Sequence, residues 1–256
     1  MNAVAGAHED AMGDKLDRKI QADFYDQRWS GEITRHNFLS AYDRPRVTSI
    51  VQNVVLRFDE LGHLKVLDLG CGNGWLTRFL APFATVSGID LSPEGIRQAS
   101  ERYPDHRFAV GSLFDEDIFD EQFDVVVCHE VLEHVDTNKQ LELIQVCRRR
   151  LVRNGLLVLT TPNKWAQLHR RKALGLNTDK LGDQPLENML SVLETRSLIR
   201  QAFQIQQIYT VINVPFKHGL ARIATSGRLQ RTIPGWKRLP YLLNMGMHIV
   251  VVGQRD

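Results

Sequence analysis

The chain is poor in cysteine and has no long apolar run. Its three cysteines, Cys71, Cys128 and Cys147, are too few and too far apart for a disulfide framework or a zinc motif, so they read as reduced, buried thiols. The first twenty residues mix Ala, Gly, Asp, Glu and Lys without the apolar core of a secretory signal, and the expected location is the cytoplasm. The most apolar stretch near the end, 241–253, is shorter than the roughly 20 residues that a membrane-spanning helix needs. It is also interrupted by Asn244 and His248. Acidic residues are missing altogether from 195–255, which carries nine Lys and Arg side chains. Positive charge is therefore gathered after residue 194, and the preceding part of the chain is net acidic.

What is present is ordinary globular usage: 256 residues, 43% hydrophobic and 24% charged, with a formal net charge of +2. Such a length suits one α/β domain with elaborated ends better than two independent domains. Short apolar runs alternate with helical stretches, the pattern of βαβ units. The runs at 64–69, 85–89, 106–110, 123–128 and 156–161 read as strands, followed by a loosely alternating sixth at 203–214 and a last one at 248–254. Val125, Val126 and Val127 are consecutive and β-branched, as in a strand covered on both faces. Between the strands, Trp75, Leu76, Phe79 and Leu80 recur at helical spacing. Ser92 and Pro93 supply an N-cap and a proline at N1 for a helix over 93–102. Asp136 is expected to cap the next helix, which Asn154-Gly155 would stop. Thr195 is expected to cap another, through Ala202, and 162–194 reads as an inserted loop or short helices. The predicted fold is an α/β, Rossmann-like sheet of seven strands, mostly parallel, with an antiparallel last strand and helices on both faces.

The first strand ends in Asp68-Leu69-Gly70-Cys71-Gly72-Asn73-Gly74. A glycine-rich turn between strand and helix lets a ligand approach bare backbone and presents free N–H groups to an anionic end. Asp90 lies twenty residues after Gly70, at the tip of the second strand, where a carboxylate accepts hydrogen bonds from ribose hydroxyls. Strand, glycines, helix, strand and carboxylate in this order point to a nucleoside-bearing cofactor. NAD sites carry G-x-G-x-x-G, whereas this loop reads G-x-G-x-G with Asp68 two residues ahead of it.

Through VLDLGCGNG, VSGIDLS, FDVVVCHEVLEHV and GLLVLTTPN the chain resembles the class I S-adenosylmethionine (SAM)-dependent methyltransferases over residues 44–163. The run EVLEHV is similar to that of the ubiquinone-biosynthesis O-methyltransferases and of related sugar- and natural-product-modifying enzymes. The resemblance implies that Asp68, Gly70 and Gly72 hold the methionine part of the cofactor and Asp90 its ribose. It implies Leu91, Ser112 and Leu113 at the adenine, with Ser112 standing where the family usually has Asp, and His129 along the cofactor through its backbone. Residues 24–29, with Tyr25, resemble an aromatic N-terminal lid, and Arg46 resembles a cofactor-contacting arginine; helix packing and a solvated charge are the alternatives for these two. The expected organisation is a helical lid segment over 1–43, its first eighteen residues open to disorder, and a SAM-binding domain over 44–256. Inserts at 162–194 and 215–247 would shape the acceptor pocket.

Methyl transfer from a sulfonium needs chiefly in-line positioning and exclusion of water. A hydroxyl acceptor would gain from a general base, and His134, Glu133, Glu130 and His129 are the nearest titratable groups, with packing or capping as the structural alternative. The same E-x-x-E-H run resembles the metal-binding motif of small-RNA 2′-O-methyltransferases, whose further histidine is not found here in a matching motif; no metal is expected. The acceptor is expected to be a small molecule methylated on a hydroxyl oxygen: a sugar, a quinone or phenol, or a lipid-linked or natural-product intermediate. Nucleic acid is the less favoured partner, and a non-catalytic SAM-binding subunit the competing class. In 215–240, Leu220, Ile223, Leu229, Ile233, Trp236 and Leu239 interleave with the basic residues. That pattern suits contact with an anionic membrane surface, a lid packed on the core, a pocket for an acidic ligand or a solvated face.

Overall fold

A computed structural model describes residues 18–30, 40, 43–115, 117–177, 184–213 and 246–256. A first helix, α1, covers 18–30. There follow α2 (Asp43–Leu61), β1 (Leu64–Leu69), α3 (Thr77–Leu80), β2 (Ala84–Asp90), α4 (Pro93–Arg102), β3 (Arg107–Val110) and β4 (Phe123–His129). After a 3-10 turn at Leu132–His134 come α5 (Gln140–Arg150), β5 (Leu151–Pro162), α6 (Lys164–Ala173), α7 (Val192–Ile199), β6 (Gln204–Asn213) and β7 (Gly246–Gln254). The segment 214–245, with most of the 215–247 insert, lies outside the described residues.

The seven strands form one sheet in the order β3-β2-β1-β4-β5-β7-β6. The first five are parallel neighbours, and β7 runs antiparallel between β5 and β6. The strand order reverses between β1 and β4, and in such sheets ligands bind beyond the carboxyl ends of the strands at that point. The sheet is buried on both faces. Leu67, Leu69, Val126, Cys128, Leu157 and Leu159 pack on one side with residues of α5 and α7. Val66, Val125, Val127 and Val158 pack on the other with residues of α2 and α3. The consecutive valines of β4 thus serve two cores in turn, which is why the strand shows no polar alternation.

Several local readings need correction. The helix after the glycines is a single turn, because Trp75 and Leu76 precede it and Thr77 begins it. Asp136 caps a turn instead of α5: its carboxylate takes the Asn138 amide at 3.2 Å, and α5 starts at Gln140. Asn154-Gly155 does not stop α5, which ends at Arg150; the pair lies inside β5, where Asn154 at φ 61° accommodates a shift of register against β4. Thr195 is a buried residue within α7, whose cap is Ser191 in a reciprocal box with Glu194. The insert after Pro162, read as a loop or short helices, does hold a short helix, α6.

Candidate active site

Beyond the carboxyl ends of β1 and β4 lies a cavity of about 830 Å³, within the roughly 300–1,000 Å³ range of small-molecule sites. The sequence folds tightly on its floor. Gly70 and Gly72 adopt φ of 76° and 53°, left-handed conformations that disfavour a Cβ. A Cβ on Gly70 would also lie 2.5 Å from Val131 Cγ2. The amides of Gly70 and Cys71 donate to Ile89 O. Those of Gly72 and Ser92 donate to the two carboxylate oxygens of Asp90 at 2.8 and 2.9 Å. Asp90 is thereby fixed at the cavity wall with lone pairs to spare. Burial pushes its carboxyl up, and the Ser92 and Gly72 amides hold it back.

Of the site residues read from the sequence, Tyr25, Arg46, Gly70, Gly72, Asp90, Leu91, Ser112, Leu113, His129 and His134 line this one cavity. Asp68 does not. It is buried beneath the loop, its carboxyl is raised to about 7 by burial and by Asp90, and its Oδ2 has no hydrogen-bond partner among the described residues. Ser112 Oγ accepts the Phe114 amide at 3.3 Å, and Asp115 takes the Ser112 amide at 2.8 Å, so an acidic side chain shapes this turn from three residues further on.

α1 lies across the rim. Asp26 accepts the Ser92 hydroxyl and, at 3.1 Å, the Glu94 amide, anchoring α1 to the start of α4. Gln98 Nε2 donates to Trp29 O at 2.7 Å, and the Trp29 indole fills the space that a Cβ on Gly72 would take. One turn back, the Tyr25 hydroxyl donates to Gln184 Oε1 at 2.6 Å, closing the cavity against the segment after α6.

The run after β4 divides its titratable groups between two tasks. Glu130 takes Arg46 Nη1 at 2.7 Å and the Thr160 hydroxyl at 2.9 Å, and its carboxylate lies 2.8 Å from His248 Nδ1. Against the burial that would raise it, His248 and Arg46 hold this carboxyl far below the ordinary range. Glu133 is buried, accepts the Thr161 hydroxyl at 2.9 Å, and is pushed well up by burial and by Glu130. The E-x-x-E-H side chains are therefore engaged with separate protein partners, and among the described residues no group of three or more His, Cys, Asp or Glu is arranged to hold a metal. His134 Nδ1 meets Leu186 O at 2.8 Å. A carbonyl only accepts, so Nδ1 carries the proton and Nε2 the lone pair. Burial lowers the His134 pKa, against the Leu186 bond that raises it. His129 is lowered further, to about 4, chiefly by burial.

His248 and Gln184 escaped the sequence reading. His248 had one signal, a polar side chain in an apolar strand that must find a buried partner; Gln184 had none.

The fold is similar to that of solved methyltransferases crystallised with SAM or its demethylated product. Residues 66–155 match the family model described as a methyltransferase domain. Among curated proteins, the chain is similar to the ubiquinone biosynthesis O-methyltransferases of Glaesserella parasuis, 32% identical over 43% of this chain and 50% of that one, and Rickettsia felis, 30% identical over 53% and 57%. The chain spans about half the length of the curated relatives it matches. Among solved structures, the magnesium protoporphyrin IX methyltransferase of Synechocystis, crystallised with S-adenosyl-L-homocysteine (SAH), superposes with a TM-score of 0.61 at 17% identity, over 94% of this chain and all of that one. The N-methyltransferase NodS of Bradyrhizobium japonicum, also with SAH, gives 0.59 at 15%, over 93% and 99%. At such identities the likeness is one of fold. No helix among the described residues is long and apolar enough to cross a membrane. The basic 215–240 segment lies outside them.

Proposed function

We propose that the chain transfers a methyl group from SAM to a hydroxyl oxygen of a small molecule. One observation carries this reading: a single cavity runs from Gly70, Gly72 and Asp90 to Tyr25 and His134, so a cofactor on the loop and an acceptor at the base share one enclosed space. The residues fit the cofactor. Arg46 Nε at the cavity wall and Asp68 Oδ2 beneath the glycine loop are buried polar atoms without hydrogen-bond partners among the described residues, a donor suited to the carboxylate of an amino acid and an acceptor whose negative charge would favour its ammonium from below. Asp90 would take the ribose hydroxyls, and Leu91, Leu113 and the Ser112 turn the base.

Bound SAM supplies an electrophilic methyl group on a sulfonium. The chain's own part is to orient, to exclude water and to move one proton. Tyr25 and Trp29 cover the cavity from α1, and desolvation strengthens every interaction inside it. His134 is the base: its proton is held at Nδ1 by Leu186, and Nε2 is left to receive the acceptor's hydroxyl proton. Glu133 Oε1 lies 3.7 Å from that Nε2, and burial and Glu130 push its carboxyl up, which weakens its pull on a His134 proton. The sugar, quinol and phenol classes and the lipid-linked intermediates remain the acceptors proposed, in keeping with the O-methyltransferase relatives.

The test is incubation of the purified protein with methyl-labelled SAM and a panel of catechols, quinols and hydroxylated sugars. Label is expected on an oxygen of at least one phenolic or sugar member. Absence of SAH binding in calorimetry would remove the reading.

A further inference from the structure

Glu130 follows β4 at φ 55°, a conformation that a residue with a Cβ keeps only where its surroundings hold it. What holds it is a chain of contacts spanning four elements. Asp43 binds Arg46 on α2, and Arg46 binds Glu130. His248 Nδ1 of β7 lies 2.8 Å from the same carboxylate oxygen. The Thr160 hydroxyl of β5 binds the other oxygen at 2.9 Å and stands 2.6 Å from His129 Nδ1.

The direction of these bonds follows from their chemistry. With Arg46 and His248 against it Glu130 is ionised, and a carboxylate only accepts. The single proton of Thr160 must therefore point at Glu130. Its oxygen then faces His129 Nδ1 as an acceptor, so Nδ1 must bear a proton. A neutral imidazole protonated at Nδ1 has its lone pair on Nε2. His129 Nε2 has no hydrogen-bond partner among the described residues, and the ring lines the cavity beside Gly70 and Trp75, 5.6 Å from the Trp75 indole between centroids.

We infer that Thr160, Glu130 and His248 are positioning residues that lock His129 in the Nδ1-protonated tautomer, so that the cavity meets a hydrogen-bond acceptor at Nε2 and takes an N–H donor of its ligand there. On the proposed SAM reading, on which only this ligand half rests, the donor is the ammonium of the methionine part. A donor at Nε2 in place of an acceptor would face that cation with a second N–H and repel it.

The tautomer is read without ligand or turnover, from long-range proton–nitrogen correlation on protein labelled with 15N-histidine. The wild type is expected to show His129 protonated at Nδ1 and bare at Nε2. Thr160→Val deletes the relay atom at nearly constant volume and should shift His129 toward Nε2 protonation and weaken SAH binding about tenfold. Thr160→Ser should restore both. His248→Gln should shift the tautomer in the same direction. A wild-type ring protonated at Nε2 overturns the inference even if no variant folds, and so does an unchanged tautomer in folded Thr160→Val. A correct tautomer in a protein that binds no SAH would leave the relay standing and remove the methyltransferase reading instead.

Discussion

Trp29 and Gly72 share one space: a Cβ on Gly72 would lie 2.5 Å from Trp29 Cζ2, at a backbone φ of 53°. The glycine loop and the helix that covers it are therefore fitted to each other through the absence of a side chain. Gly72→Ala should lower SAH affinity by about tenfold or more and stability by about 1–3 kcal/mol, the range for overpacking a well-filled site. Trp29→Ala in the same chain should recover part of the stability, because it removes the atom that clashes. Calorimetric titration and urea unfolding of the single and double variants measure both. Additive losses would mean that the indole and the loop do not interact.

Asp68 ties stability to pH in a direction opposite to that of an ordinary paired carboxylate. Its folded pKa is raised to about 7, first by burial and then by Asp90, from an ordinary value of 3.8. Between these values the folded protein holds a proton that the unfolded chain does not, so the Asp68 contribution is complete below the lower value and lost as pH rises through about 7. His129 acts the other way: with a folded pKa of about 4 against 6.5, stability is lost as pH falls between them. Asp68→Asn should therefore gain stability at pH 8, by at most about 4 kcal/mol for a shift of this size, and little at pH 4. The gain belongs to the ligand-free protein, and SAH affinity should fall in the same variant. Equal stability of variant and wild type at pH 8 would show that Asp68 is not a strained buried charge.

The same carboxyl predicts a proton count for binding. A cationic ligand end beside Asp68 favours its ionised form, so binding at pH 6, where the free protein holds this group mostly protonated, should release about one proton. At pH 9 the release should fall toward zero. Titrations in buffers of different ionisation enthalpy give the number directly. A pH-independent count near zero would mean that the ligand leaves Asp68 untouched.

The part of the molecule around the glycine loop was legible because its signals are local. The run 64–69, three glycines, Asp90 and the Ser92-Pro93 cap lie within thirty residues, and each turn there is fixed by its own residues, as the cap bond from the Gly95 amide to Ser92 Oγ shows. The misreadings fell where local chemistry admits two outcomes. Asn154-Gly155 is a helix-stop pair in any sequence, yet backbone bonds of both residues to Arg255, just past β7, drew it into β5. Thr195 is as good a cap as Ser191, but only Ser191 has Glu194 three residues on. The Glu130 network was beyond reach, since Arg46, Thr160 and His248 meet only after the sheet has formed.

His134 offers the sharpest test of chemistry. Its Nδ1 proton is committed to Leu186, and burial keeps the ring neutral below the pH at which a free imidazole protonates. If Nε2 takes the acceptor's proton, His134→Gln preserves much of the shape and removes the base, and kcat should fall by roughly 10²–10⁴ with the KM for SAM little changed. The wild-type kcat should hold as pH falls through 6.5 and decline only at a lower pH, since it is the neutral ring that works and its pKa is lowered. The variant should lack that acidic limb. A phenol acceptor of low pKa should suffer less from the substitution than an alcohol, because it gives up its proton without help. A uniform loss across acceptors, with an unchanged pH profile, would make His134 a packing residue and leave the reaction to positioning alone.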